Sequence, residues 1–156
     1  MCAVSLVVVA AACGAAATGS PPGAAPAPDR AALTAALAAQ LARAARDWNR
    51  GDLDAFVSDY ARDTATTFVD HGHARHGFDY IRARYAPRFA PGAPRDSLRF
   101  EEIEARPLGP DHALVTARFI LYREGRTTAS GPFTLVLEHR REGWKILHDH
   151  SSGDSE

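Results

Sequence analysis

Once along the chain, near Ser97, the spacing of apolar residues changes character, and that change limits the folds available. Before it, Leu33, Leu37, Leu41, Ala44, Ala45 and Trp48 recur at the three-and-four spacing of one helix face. After it, apolar and polar residues alternate, as on a strand with one face buried. Helices followed by a run of strands pack as α+β: the spacing predicts a strongly bent antiparallel sheet wrapped around a long N-terminal helix, with two shorter helices beside it.

The local signals place the elements. Asp29 suits the N-cap of the long helix, and Gly51 its C-terminal stop. Asp52 can cap a shorter helix carrying Leu53, Phe56, Val57 and Tyr60, after which "ATTFVD" (65–70) reads as a strand and "HGHARHG" (71–77) as a loop. A third helix is expected over 78–89, from Phe78, Ile81, Tyr85 and Phe89, with "APGAP" ending it. The strands follow at 97–109, 112–124, 127–142 and 143–151, separated by Gly109-Pro110-Asp111, Glu124-Gly125 and Glu142-Gly143. Within the first of these strands Leu98 and Phe100 share one face and Ile103 and Ala105 the other, which calls for a bulge near Glu101 or Glu102. Gly131-Pro132 should bend its strand or mark an edge.

The opening of the chain differs from the rest. Its first charged residue is Asp29, preceded by an apolar run over 4–12 and a small-residue, proline-rich stretch over 14–28. Cys13 follows Ala10-Ala11-Ala12 and precedes Gly14, a pattern that resembles a bacterial lipobox, with Ala10 where leucine is usual. The expected organisation is a signal peptide or lipoprotein leader over 1–13, a linker over 14–28, one folded domain over 29–152 and a disordered tail over 153–156. On this reading Cys13 is lipidated, Cys2 is removed with the leader, and the protein is exported and held to the membrane by its lipid anchor, facing the periplasm or cell exterior. Plain secretion, or an apolar leader on a cytoplasmic protein, are the alternatives. A net charge of -1 and a pI near 6.6 argue against a nucleic-acid partner.

The order of "FVSDYA", a short strand, "GFDYIRARY" and four strands closing on "GWKILHDHSS" resembles the nuclear-transport-factor-two-like superfamily in its SnoaL-like and ketosteroid-isomerase-like branch. The closing segment is also similar to the association domain of calmodulin-dependent kinases. The resemblance implies a cone whose interior is a pocket and whose outer sheet face forms a homodimer. It does not fix an activity, because the superfamily includes isomerases, cyclases, dehydratases, epoxide hydrolases, binding modules and assembly domains.

Within that frame the candidate site residues are few. Asp70 ends the first strand, where related isomerases and dehydratases keep an acid or base, and Asp149 and His150 of the last strand are the other candidates for proton transfer. Arg118, a mid-strand charge flanked by apolar residues, matches a pocket arginine of the kinase association domains, with an outward-facing, ion-paired arginine as the alternative. Trp48, Tyr60, Phe68, Tyr85 and His148 are expected to contribute to the pocket wall. Strand parity leaves the last strand open: either Trp144, Ile146, His148 and His150 face inward, or Leu147, Asp149 and Ser151 do, unless a bulge intervenes. The first helix has no tyrosine to complete a ketosteroid isomerase site, and Ile120 stands where an epoxide hydrolase needs a carboxylate. No cofactor is expected, since the chain lacks a phosphate-binding glycine loop and a nucleophile elbow. The expected function is binding of a small organic molecule in an apolar cone, with isomerase, cyclase or lyase chemistry by general acid–base catalysis as one outcome. Non-enzymatic ligand binding or dimerisation is the other, and metal binding through His71, His73, His76, His148 and His150 a third.

Overall fold

The structure, a computed structural model, describes residues 29–154, apart from the side chain of Asp70. The expected leader, its Cys13, the linker and residues 155–156 lie outside the described residues. The long helix forms as α1, Arg30–Arg50, where the Asp29 carboxylate accepts the Ala31 N–H at 3.0 Å and Gly51, at φ 83°, closes the last turn in the left-handed conformation. Its stripe of Leu33, Leu37, Leu41, Ala44, Ala45 and Trp48 is buried, each leucine contributing about 1.5–3 kcal/mol by leaving water. The short helix α2, Leu53–Phe56, tightens into a 3-10 turn, Val57–Asp59, and α3 spans Phe78–Phe89.

The strands are β1 (Thr67–Asp70), β2 (His73–His76), β3 (Ser97–Pro107), β4 (His112–Arg123), β5 (Arg126–Arg140) and β6 (Gly143–Ser151). They form one sheet in the order β2-β1-β6-β5-β4-β3, with β1 parallel to β6 and every other pair antiparallel. The segment 71–77, expected as a loop, contains β2. His71 and Gly72 both have positive φ, 47° and 76°, the two-residue turn that matches the twist of a hairpin. All four β2 residues are exposed, so no alternation announces the strand.

Bulges bend the sheet into a cone. The one expected near Glu102 is present: register shifts between Glu101 and Glu104, and Glu102 has φ 54°. Others interrupt the β4–β5 pairing at Leu121/Tyr122 and the β5–β6 pairing at Val136/Leu137. Helix α1 lies in the concavity against β3 and caps that strand's open edge with side chains. Asn49 accepts the Leu98 N–H at 2.7 Å and donates to the Leu98 carbonyl at 3.0 Å, while Thr34 Oγ1 bonds both backbone groups of Ala105. The core joins the α1 stripe to Val115, Ala117, Phe133, Leu135, Leu137 and Ile146 of the inner sheet face.

One end of the cone is closed by aromatic rings. Trp48 meets Phe56 and Phe89 edge-on at 5.1 Å each, and Tyr85 stands 5.0 Å from Phe56. At the other end, β5 passes the terminus of β6 at Gly131-Pro132. Past Ser151 the chain keeps pairing with β5: Ser152 N–H donates to the Pro132 carbonyl and Asp154 N–H to that of Ser130. Residues 153 and 154, expected within a tail, are thus held against the sheet.

Candidate functional site

The geometry of the site follows from how β6 crosses the sheet. Leu147 is the extra residue of the β5–β6 bulge, Val136 pairing with His148 and Leu137 with Ile146. Strand parity therefore reverses at Leu147. Ile146 faces the cavity before the bulge, and Asp149 and Ser151 face it afterwards. The apolar start and the acidic end of the strand both serve the interior, which simple alternation does not allow.

That interior is a cavity of about 530 Å³. Its wall is mostly aromatic and aliphatic, with Trp48 and Phe56 from the helical side and Phe100, Phe119 and Phe133 from the sheet. Polar groups interrupt it at few places. The deepest is a buried pair: the Tyr60 hydroxyl donates to Asp149 Oδ2 at 2.5 Å, and the Ser151 hydroxyl donates to Asp149 Oδ1 at 2.9 Å. Tyr60 and Asp149 are 5% and 4% exposed, so the bond lies out of water. Tyr60 reaches this point because the 3-10 turn after α2 ends at it and its backbone bridges to Ile146. Burial, reinforced by the Asp149 charge, raises the Tyr60 phenol well above its ordinary value. It therefore remains a proton donor across the physiological range.

Asp59 is a second carboxylate on the wall, held by Arg43 at 2.5 Å. Burial raises its pKa, and the Arg43 charge opposes that shift without cancelling it. The more exposed part of the cavity wall comes from His71 and Gly72 of the β1–β2 turn, Arg84 and Arg88 of α3, and residues 152 and 153.

The expected site residues divide on this geometry. Trp48, Tyr60, Phe68, Tyr85, Asp149 and His150 all line the cavity, His150 with an exposed side chain. His148 does not. It lies on the outer face, where Thr67 Oγ1 is 2.6 Å from its Nδ1, and burial with the neighbouring His150 charge lowers its pKa. Arg118 is also outside, because the inward parity of β4 is carried by Val115, Ala117, Phe119 and Leu121. Its guanidinium pairs with Asp154, which also accepts the Ser130 hydroxyl at 2.5 Å. The pocket role expected for Arg118 is therefore corrected to a clamp on the C-terminal segment. Asp70 ends β1 with its backbone opposite His73, and its side chain is outside the described residues. Among the described residues no three His, Cys, Asp or Glu side chains converge as metal ligands.

Sequence reasoning missed Asp59, Arg84 and Arg88. For the two arginines a signal existed: each stands one position before a buried-face aromatic, Tyr85 or Phe89, at one-turn spacing. Asp59 carried none, since its role depends on Arg43 sixteen residues away in sequence.

Comparison with known proteins supports the architecture. The chain resembles an NTF-2 like protein of unknown function from Shewanella oneidensis, with 31% identity over 78% of this chain and 98% of that one and a TM-score of 0.66. A candidate calcium/calmodulin dependent protein kinase II association domain from Xanthomonas campestris shares the fold at 20% identity, covering 86% and 94% of the two chains with a TM-score of 0.61. So does a candidate dehydratase of the NTF2-like family from Streptomyces avermitilis, at 20% identity, 83% and 99% coverage and a TM-score of 0.62. No curated protein matches the chain. The profile of the SnoaL-like domain matches residues 35–153, nearly the whole of the cone and its helices, and the chain belongs to that family.

Proposed function

We propose that the protein binds a small, largely apolar organic molecule inside the cone and that Asp149, assisted by Tyr60, moves a proton on it. The reaction class is isomerase, cyclase or lyase chemistry by general acid–base catalysis. One observation carries this reading: the buried Tyr60–Asp149 bond of 2.5 Å lies on the wall of an otherwise apolar cavity. The phenol stays protonated and donates its one O–H to Asp149, so it orients the carboxylate, and Asp149 is the group placed to accept a proton from a ligand in the cavity. The fold similarity to a candidate dehydratase agrees with this class.

A non-enzymatic binding role is the second reading. It is favoured by the two hydroxyls that already occupy both Asp149 oxygens, which suits a fixed anchor as well as a base. Proton exchange separates the two. Cyclic and aryl ketones incubated with the protein in deuterium oxide should exchange their α-protons, followed by NMR, with Asp149→Asn slowing the exchange by about 10²-fold or more. Binding without exchange in the parent protein would favour the second reading, and equal exchange by Asp149→Asn would remove Asp149 as the base.

The leader and Cys13 support export with a lipid anchor as part of the same proposal, and the outer sheet face supports a homodimer. That face carries the partly buried Leu114 and Val136 among Thr116, Thr134 and Arg118, while Ile120 is already buried within the chain. Cys13→Ser should release the protein from the membrane fraction of a bacterial host. Unchanged fractionation would contradict the anchor.

A further inference from the structure

The cavity carries its charges unevenly along its depth. At the buried end are Tyr60 and Asp149, whereas the cationic groups, Arg84 half-buried and Arg88 exposed, stand on α3 toward solvent. Arg84 and Arg88 are one helical turn apart, so their guanidinium groups share a face, while Tyr85 and Phe89, each one residue further, enter the aromatic cluster around Trp48. Like charges at this spacing repel, and an anion between them or beside them converts repulsion into attraction.

Among the described residues, the carboxylates discussed for this cavity are already committed. Asp59, on the cavity wall, pairs with Arg43. Asp96, whose pKa is held down first by Thr128 and then by Arg123 with a smaller contribution from Arg88, bonds both Arg123 and Thr128. Asp149 is hydrogen bonded by Tyr60 and Ser151 at the buried end. Arg84 is itself engaged within the protein, which leaves the exposed Arg88 as the principal cationic feature of the entrance.

We propose that the ligand of this cavity is an amphipathic organic anion, its ring or alkyl body within the aromatic wall and its carboxylate, or another singly charged oxyanion, at Arg88 with Arg84 beside it. This inference rests on the reading that the cone is the binding cavity. It assigns the place of the charge as well as the class: a molecule whose anionic head is at the exposed arginine of α3 keeps its uncharged body beside the buried Tyr60 and Asp149. A second anion would meet the buried Asp149 charge there, so a ligand anionic at both ends is disfavoured.

Two dyes with the same aromatic body test it on the full chain. 1-Anilinonaphthalene-8-sulfonate carries one anionic group that N-phenyl-1-naphthylamine lacks, and both report binding by fluorescence. The sulfonate should bind about ten-fold more tightly than the neutral dye, and Arg88→Gln should remove that preference while leaving neutral-dye affinity unchanged. Arg88→Glu should reverse it. Equal affinity of the two dyes for the unaltered protein, or equal weakening of both by Arg88→Gln, would overturn the anionic class alone. Failure of both dyes to bind would overturn the class together with the cavity reading beneath it.

Discussion

Asp149 is the best-anchored polar group of the cavity wall because each of its carboxylate oxygens meets a hydroxyl, Tyr60 on one side and Ser151 on the other. Removing the Tyr60 hydroxyl leaves a buried acceptor short of a donor, so Tyr60→Phe should cost about 1–3 kcal/mol and lower the melting temperature by several degrees in calorimetry. An unchanged transition would mean the bond is not formed in solution. His148 gives a separate prediction in pH. Its folded pKa is depressed below 6.5, first by burial and then by the His150 charge. The unfolded chain therefore binds the proton more readily, and stability should fall as pH drops below 6.5. Denaturant titrations of the parent and His148→Gln should show a shallower fall in the variant, and parallel curves would contradict the assignment. At this scale the sequence was partly legible. Asp149 and Tyr60 could be named from their positions, but their mutual contact spans 89 residues and no local pattern encodes it. Arg118 was misplaced because a charge in a strand reads the same whether its partner is a ligand within or Asp154 outside.

Most elements were readable because their signals are local: the Asp29 and Gly51 caps of α1, the turn residues between β3 and β6, the parity break at Glu102. The β1–β2 hairpin was not, since all its β2 side chains face water and its turn uses His71-Gly72 where Asn-Gly or Asp-Gly would have announced it. The β6 bulge was legible only as a possibility, because the extra residue, Leu147, is as apolar as a paired core residue. Gly131 offers the sharpest test of how the elements meet. A Cβ there would stand 1.8 Å from the Ser152 carbonyl oxygen, a backbone atom, so Gly131→Ala must push the C-terminal segment away from β5. The expected result is a loss of about 2 kcal/mol or more in unfolding titrations together with weaker dye binding, since residues 152 and 153 form part of the cavity wall. Parent-like stability would show that the segment does not pack against β5.

Residues 29–154 form a curled sheet closed by α1 and by the aromatic contacts of α3, and its outer and inner faces call for separate tests. The outer face should pair two copies: light scattering coupled to size exclusion is expected to give twice the mass of the chain, and a monomer at tens of micromolar would contradict the dimer. The inner face makes the cavity. Fold class and the succession of elements were legible because hydrophobic period and turn chemistry repeat over many residues and reinforce one another, whereas β2 and the parallel pairing of β1 with β6 were not. The site was less so, because bulges of a single residue decide which side chains turn inward. NMR mapping of a bound ligand tests the central claim most directly. Titrating the full chain with a panel of aromatic keto acids should shift the signals of Tyr60, Phe68, Phe133 and Asp149 together and leave those of His148 and Thr134 in place. Shifts confined to the outer face, or none from any member of the panel, would contradict a binding site inside the cone.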